Sequence, residues 1–130
     1  MASGADGREL VLAAGPKAPA LARRAIAGWF GRRVDAATLG DLQLVVSELI
    51  TNSCVHADVP VGRWVQLSAA IVDGVVRIEI RDSGLDGAVA RRPPDGNGGY
   101  GLNLVEALAT RWGIDHEDGT SVWCELTATS

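Results

Sequence analysis

Apolar positions in the first half of the chain predict one strand followed by two helices. The run from Glu9 to Ala14 predicts a short strand, which the breakers from Gly15 to Pro19 end. Helices are expected from about Ala20 to Arg33 and from Thr38, as N-cap, to His56. Asp41 falls in the first turn of the second helix, where the helix dipole favours an acid. The first helix has these apolar residues at helical spacing: Leu21, Ala22, Ile26, Trp29 and Phe30.

The second half of the chain predicts a hairpin, a loop, a helix and a last strand. Strands from Arg63 to Val72 and from Val75 to Asp82 flank Asp73-Gly74, a pair suited to a tight hairpin turn. A glycine- and proline-rich loop precedes a helix from about Tyr100 to Trp112, and Ser121 to Thr129 alternates like a strand. This order favours one domain over residues 1–130: an α+β two-layer sandwich, with a mixed, mainly antiparallel sheet covered on one face by helices.

Composition and charge exclude several classes of protein. The chain has 130 residues, 47% of them hydrophobic, with a net charge of −4. Its basic residues are scattered, which argues against nucleic-acid binding. No stretch resembles a signal peptide or a membrane span, so we expect a cytoplasmic protein with no membrane contact. Cys54 and Cys124 lack metal-ligand spacing, and we expect both to be reduced structural thiols.

The stretch SELITNSCVHA, Ser47 to Ala57, contains two polar residues one helical turn apart. Glu48 and Asn52 lie about 40° apart on the flank of the apolar stripe, near the line of Asp41, Val45 and Val55. A carboxylate and an amide there can line a cleft at the margin of the core, although a solvated helix face explains them too. The stripe itself contains Leu39, Leu42, Val46, Leu49, Ile50 and Ser53.

Asp82 ends the predicted hairpin on the apolar side of its strand. Val76, Ile78 and Ile80 alternate with charged residues, and Asp82 continues the apolar row. A buried carboxylate needs donors, and one that faces a pocket can accept from an exocyclic amino group such as that of adenine. Gly84 would let a ligand approach closely. The alternative is an ordinary Asx cap at the end of the strand.

Glycines 96, 98, 99 and 101 lead directly into the last predicted helix. Free backbone N–H groups and the positive end of a helix dipole can hold phosphate there. The sequence lacks the Gly-Lys-Ser/Thr of a P-loop, and its spacing differs from that of a dinucleotide fingerprint. An ordinary glycine-rich loop remains the alternative. The helix would pack inward through Leu102, Val105, Leu108, Ala109 and Trp112.

Four motifs in order resemble a known superfamily: Glu48-x-x-x-Asn52, Asp82-x-Gly84, Gly99-x-Gly101-Leu102 and Gly119-Thr120. They are similar to the motifs of the gyrase and histidine-kinase type ATPases, the Bergerat ATP-binding fold. Within that group, SELITNSCVHA, GGYGLNLVEALATRWG and GTSVWCEL resemble the small actinobacterial anti-sigma factor serine kinases. The resemblance extends from about Pro19 to the end of the chain.

The resemblance implies ATP and Mg²⁺ as cofactors and gives roles to individual residues. Glu48 would orient and deprotonate the attacking hydroxyl, and Asn52 would coordinate Mg²⁺. Asp82 would accept from the adenine amino group, with Gly84 beside it.

Further contacts to the nucleotide are implied at two other motifs. Backbone groups at Gly99, Tyr100, Gly101 and Leu102 would hold the phosphates. Thr120 would complete the adenine pocket.

The implied function is that of an ATP-dependent serine/threonine protein kinase. It would phosphorylate an anti-anti-sigma protein and sequester a sigma factor, and a homodimer is a further expectation of the family. Two alternatives stay open: an inactive ATP-binding partner-switch module, and a stand-alone catalytic domain of the histidine-kinase type.

The chain departs from the family pattern in the predicted lid. Asp86 stands where a further glycine is common, and Tyr100 stands where many relatives have a basic residue. Arg91 or Arg92 could instead reach the γ-phosphate, although a solvated pair explains them as well. His56 is common in the family after the first motif, and we do not assign it as a phosphoacceptor.

Overall fold

The protein is described by a computed structural model that covers residues 7–53, 64–82, 102–115 and 121–128. In chain order the elements are β1 (Gly7–Ala13), α1 (Ala18–Phe30), α2 (Ala36–Thr51), β2 (Trp64–Val72), β3 (Val75–Asp82), α3 (Leu102–Leu108), β4 (Arg111–Asp115) and β5 (Ser121–Thr127).

The five strands form one sheet in the order β1-β2-β3-β5-β4, and each neighbouring pair is antiparallel. The predicted α+β sandwich is therefore confirmed, with a sheet that is antiparallel in all of its described pairings. The β2–β3 hairpin turns at Asp73 and Gly74, whose φ angles are 52° and 78°. Two positive φ angles match the right-handed twist of the strands, which is why Asp-Gly suits this turn.

Helices and sheet share a core on one face of the sheet. Val76, Ile78 and Ile80 of β3 are buried opposite Leu126, Cys124 and Val122 of β5. Residues of β1 and β2 continue this apolar layer, and the helices pack onto it. Burial of large apolar side chains on a single sheet face is what fixes the strand register, because a slip of one residue would expose the whole row.

Helix α1 begins earlier than predicted and packs through a narrower set of residues. It starts at Ala18, with Pro19 in its first turn, where the missing N–H of proline has no helical partner to lose. Its buried residues recur every four positions: Ala18, Ala22, Ile26 and Phe30. Leu21 was expected to face the core, but it is 41% exposed because it lies off this line.

The start of α2 also differs from the prediction. Its N-cap is Asp35, whose carboxylate accepts from the Thr38 backbone N–H at 3.1 Å. Thr38, the expected cap, is the third residue of the helix and is buried, and Asp41 lies beyond the first turn. Both residue types cap helices well, so the pattern placed the start three residues late.

Strand β4 was not predicted. The expected helix from Tyr100 to Trp112 is α3 only as far as Leu108 in the described residues, and Arg111–Asp115 pairs with β5. Trp112 still packs against the core, but it does so from a strand, opposite Cys124. Within the parts of the chain that the structure describes, no helix is long and apolar enough to cross a membrane.

Candidate functional site

The strand ends near Asp82 define one edge of the sheet, called here the Asp82 edge. Asp82 pairs with Val65 at the start of β2, and Ala13 at the end of β1 pairs with Trp64. On the other side, Arg81 pairs with Ser121 at the start of β5. The ends of four neighbouring strands therefore meet here.

The C-terminal end of α2 returns to the Asp82 edge. Helix α1 starts at Ala18, shortly after β1 ends at that edge. Helix α2 follows α1 after only five residues, and its later part contacts the first half of α1: the Arg23 side chain donates to the Ser47 Oγ at 2.9 Å, and the Gln43 side chain donates to the Arg23 carbonyl at 3.1 Å. The two helices are therefore antiparallel. A helix that starts at the far end of α1 and runs back must end near this edge.

Glu48 and Asn52 lie in this returning turn of α2. The Asn52 backbone N–H donates to the carbonyls of both Glu48 and Leu49, and the helix widens into a π-type turn at residues 52–53. Single π-type turns inside α-helices are frequent at functional sites. Both side chains are half-buried, as a position at the margin of the core requires.

The apolar face of α2 is wider than predicted. Val45, which was expected on the flank near Glu48 and Asn52, is fully buried. Helix α2 packs against α1, α3 and the sheet together, so neighbours cover more than a narrow stripe. Leu42, Val46, Leu49 and Ile50 are buried as expected.

Asp82 is a buried carboxylate on the helix-covered face. It is 6% exposed and continues the row of Val76, Ile78 and Ile80, as the sequence predicted. Helix α2 covers this same face, so Asp82 and the returning turn of α2 share one side of the sheet. A carboxylate excluded from water is a strong, oriented hydrogen-bond acceptor.

Two other polar residues, Thr38 and Ser121, are buried among the described residues, and neither belongs to a predicted site. Ser121 lies at the Asp82 edge, but it pairs with the exposed Arg81 and so faces the opposite side of the sheet. Thr38 lies at the far end of α2. Neither joins Asp82, so neither extends the candidate site.

Of the remaining predicted site residues, only Leu102 belongs to the described part of the chain. Leu102 is the first residue of α3 among the described residues, and the predicted start of this helix at about Tyr100 lies outside them. The predictions for Gly84, Gly99, Tyr100, Gly101 and Thr120 lie outside the described residues.

Metal binding by protein side chains alone finds no support in the described part of the chain. No group of three or more histidine, cysteine, aspartate or glutamate side chains there could hold an ion. The Asn52 amide oxygen is a single hard donor, which suits an ion held mainly by phosphate oxygens and water. Mg²⁺ therefore fits this position only together with a nucleotide.

Comparison with curated proteins finds no match. The family model of the histidine kinase-like ATPase domain matches residues 12–126, which include α2, β3, α3 and most of β5. The match covers most of the chain and both described parts of the candidate site. The chain therefore belongs to the family of histidine kinase-like ATPase domains, which are ATP-binding domains.

Proposed function

We propose that this domain is a serine protein kinase and anti-sigma factor. It binds ATP at the Asp82 edge, transfers the γ-phosphoryl group to a serine of an anti-anti-sigma protein, and sequesters a sigma factor. Membership of the ATPase family supports the nucleotide. The anti-sigma assignment is supported by the resemblance of SELITNSCVHA, GGYGLNLVEALATRWG and GTSVWCEL to the small anti-sigma factor kinases.

The observation that carries the proposal is the buried carboxylate of Asp82 on the face that α2 covers. In the proposed complex it accepts a hydrogen bond from the adenine amino group. A charged acceptor out of water discriminates well between bases, because a base without the amino donor would leave the carboxylate without that hydrogen bond. This contact places the base beneath the returning turn of α2.

Glu48 and Asn52 then act on the phosphate end of the nucleotide. The Asn52 amide oxygen would help to hold Mg²⁺, which would neutralise charge on the phosphate oxygens. Glu48 takes the proton from the serine hydroxyl, the serine oxygen bonds to the γ-phosphorus, and the bond from that phosphorus to the β–γ bridging oxygen breaks. The products are a phosphoserine protein and ADP. One base and one metal suffice, because phosphoryl transfer depends mainly on positioning and charge neutralisation.

The proposal is tested by incubating the protein with Mg²⁺, γ-labelled ATP and an anti-anti-sigma protein from the same cell. We expect acid-stable label on serine, and Glu48→Gln should reduce the rate about 10²- to 10⁴-fold because the amide cannot take the proton. Asp41→Ala, two turns earlier on the same helix, is the matched control and should label normally.

Other outcomes distinguish the alternatives. Nucleotide binding without any labelling would identify an ATP-dependent partner-switch module. Acid-labile label on histidine of a separate protein would identify a histidine-kinase type domain. Unchanged labelling by Glu48→Gln would exclude Glu48 as the base.

A further inference from the structure

Arg23 of α1 makes two hydrogen bonds to α2. Its side-chain Nη1 donates to the Ser47 Oγ at 2.9 Å, and its backbone carbonyl accepts from the Gln43 Nε2 at 3.1 Å. Both bonds are exposed at the surface of the protein. One residue of α1 therefore contacts two positions of α2.

The two contacts restrict how α2 sits against α1. Gln43 and Ser47 lie one above the other on the same face of α2, about 6 Å apart along its axis. Rotation of α2 about its own axis would carry both side chains away from Arg23 together, and sliding of the helix would strain both bonds. The pair therefore resists these movements more than either bond alone.

Glu48, the proposed base, directly follows Ser47 in α2. Its side chain projects about 100° around the helix axis from Ser47 and about 140° from Gln43, away from the line that contacts α1. Glu48 is half-buried and has no ion pair or side-chain hydrogen bond to another described residue. The position of its carboxylate therefore depends on the orientation of α2 itself.

A small rotation of α2 is enough to displace this carboxylate. Side-chain ends lie about 5–6 Å from the axis of a helix, so a rotation of about 10° moves the Glu48 carboxylate by about 1 Å. A displacement of about 1 Å in a reacting group can slow an enzyme about 100-fold. The buried side chains of Leu49 and Ile50 and the Gln43 contact remain when the Ser47 bond is lost, so we expect a smaller rotation and a loss of about tenfold.

We propose that Arg23 is a positioning residue for the phosphoryl transfer. Through its bond to Ser47 it holds the last two turns of α2 in the orientation from which Glu48 reaches the serine hydroxyl. This inference rests on the proposed function, because it concerns the base of that reaction. In this role Arg23 acts through Ser47 and α2, and it touches no reacting atom.

The test measures kcat and KM in the labelling assay, for ATP and for the protein substrate. Arg23→Ala and Ser47→Ala should each lower kcat about tenfold and leave both KM values unchanged. The double variant should be no slower than Arg23→Ala alone, because both substitutions break the same bond. Arg23→Lys keeps a donor for the Ser47 hydroxyl and should recover part of the lost rate.

A Glu48→Gln background separates positioning from a general effect on the fold. In that background Arg23→Ala should not lower kcat further, because the protein has no base to position. A merely structural contact would lower the rate equally in both backgrounds. Arg24→Ala is the matched control and should label as fast as wild type. Arg24 is the next residue of α1, is exposed, and has no hydrogen bond or ion pair to another described residue.

Hydrogen exchange tests the same contact without the reaction. The Asn52 backbone N–H bonds to the carbonyls of Glu48 and Leu49, so its exchange reports on the last turn of α2. Arg23→Ala and Ser47→Ala should accelerate exchange over residues 48–52 about 3- to 10-fold, because local opening of this turn becomes easier. Arg24→Ala should leave the exchange unchanged.

Four outcomes would overturn the inference. They are labelling by Arg23→Ala as fast as by wild type, an equal loss of rate in the Glu48→Gln background, and unchanged hydrogen exchange in Arg23→Ala. The fourth is a raised KM for the protein substrate in Arg23→Ala together with normal labelling by Ser47→Ala, since Arg23 would then contact that substrate directly. A wild-type protein that transfers no label would instead refute the proposed function, and hydrogen exchange alone would then decide whether Arg23 holds this turn of α2.

Discussion

Replacing Gly113 with alanine tests the β4–β5 pairing, the part of the fold that the sequence did not predict. Gly113 lies opposite Trp123, on the face of the sheet away from the helices. A Cβ at residue 113 would lie 2.9 Å from each of three atoms of the Trp123 indole, Cε2, Cζ2 and Nε1. Ordinary carbon contacts begin at about 3.5 Å, so the ring or the strand must move.

The expected loss of stability depends on whether the indole ring stays in place or gives up its contacts. Overpacking costs about 1–3 kcal/mol in a rigid core. Trp123 is only partly buried and can swing outward, but it would then lose its contact with Arg77, about 0.5–1 kcal/mol. Replacing glycine with alanine inside a strand itself stabilises the fold by about 0.5–1 kcal/mol, so we expect Gly113→Ala to destabilise the fold by a net value of about 1–2 kcal/mol, in the lower part of the overpacking range. At about 4 °C per kcal/mol for a domain of this size, the melting temperature should fall by about 4–8 °C.

The assay is thermal unfolding followed by circular dichroism, with Gly40→Ala as the matched control. Gly40 lies within α2, and an added Cβ would meet nothing within 4 Å. Alanine there should stabilise the helix by about 0.5–1 kcal/mol. In a Trp123→Ala background, Gly113→Ala should no longer destabilise the fold relative to Trp123→Ala alone, because the clashing ring is gone. A Gly113→Ala protein as stable as wild type would refute the placement of Trp123 over β4.

Two further predictions follow from titratable groups. Hydrogen bonds from the side chain and backbone of Thr38 lower the pKa of Asp35. The contribution of this cap to stability is therefore present at neutral pH, and it is lost as the pH falls through the pKa of the folded state. In urea unfolding at several acidic pH values, the free energy of unfolding of Asp35→Ala should fall less steeply with decreasing pH than that of the wild type. An equally steep fall would count against the cap. Burial raises the pKa of the Cys124 thiol from 9.0 to about 12, so in a Cys54→Ser protein the remaining thiol should resist alkylation at pH 8 until the protein unfolds. Labelling of the native protein as fast as of the unfolded chain would show that this thiol is not buried.

The β2–β3 hairpin could be predicted almost completely because two local signals agree. Asp73-Gly74 favours a tight turn, and the strict alternation of apolar and charged residues from Val76 to Arg81 fixes which residues face the core. The same alternation placed Asp82 on the buried side. The spacing of apolar residues also predicted that the helices exist. It did not predict where they begin, because Asp35 and Thr38 are both good capping residues.

Strand β4 was not predicted because it is short and lies at the edge of the sheet. Its five residues follow α3 after only two others, and Trp112 fits the helical spacing as well as a strand. Pairing with β5 decides between helix and strand for these residues, and that pairing is a tertiary contact, which the local sequence does not show. Val45 was placed on the flank of α2 for a related reason: a single helix pattern does not show how many neighbours surround it.

The proposed function depends most on Asp82 lying in an adenine-nucleotide pocket. Isothermal titration of the purified protein with Mg-ATP tests it most directly, comparing wild type with Asp82→Asn and with the matched exposed variant Asp73→Asn. Loss of a charged hydrogen bond, about 1.5–3 kcal/mol, predicts a dissociation constant about 10- to 150-fold higher for Asp82→Asn, with Asp73→Asn unchanged. Equal affinity of folded Asp82→Asn and wild type for ATP would contradict the claim.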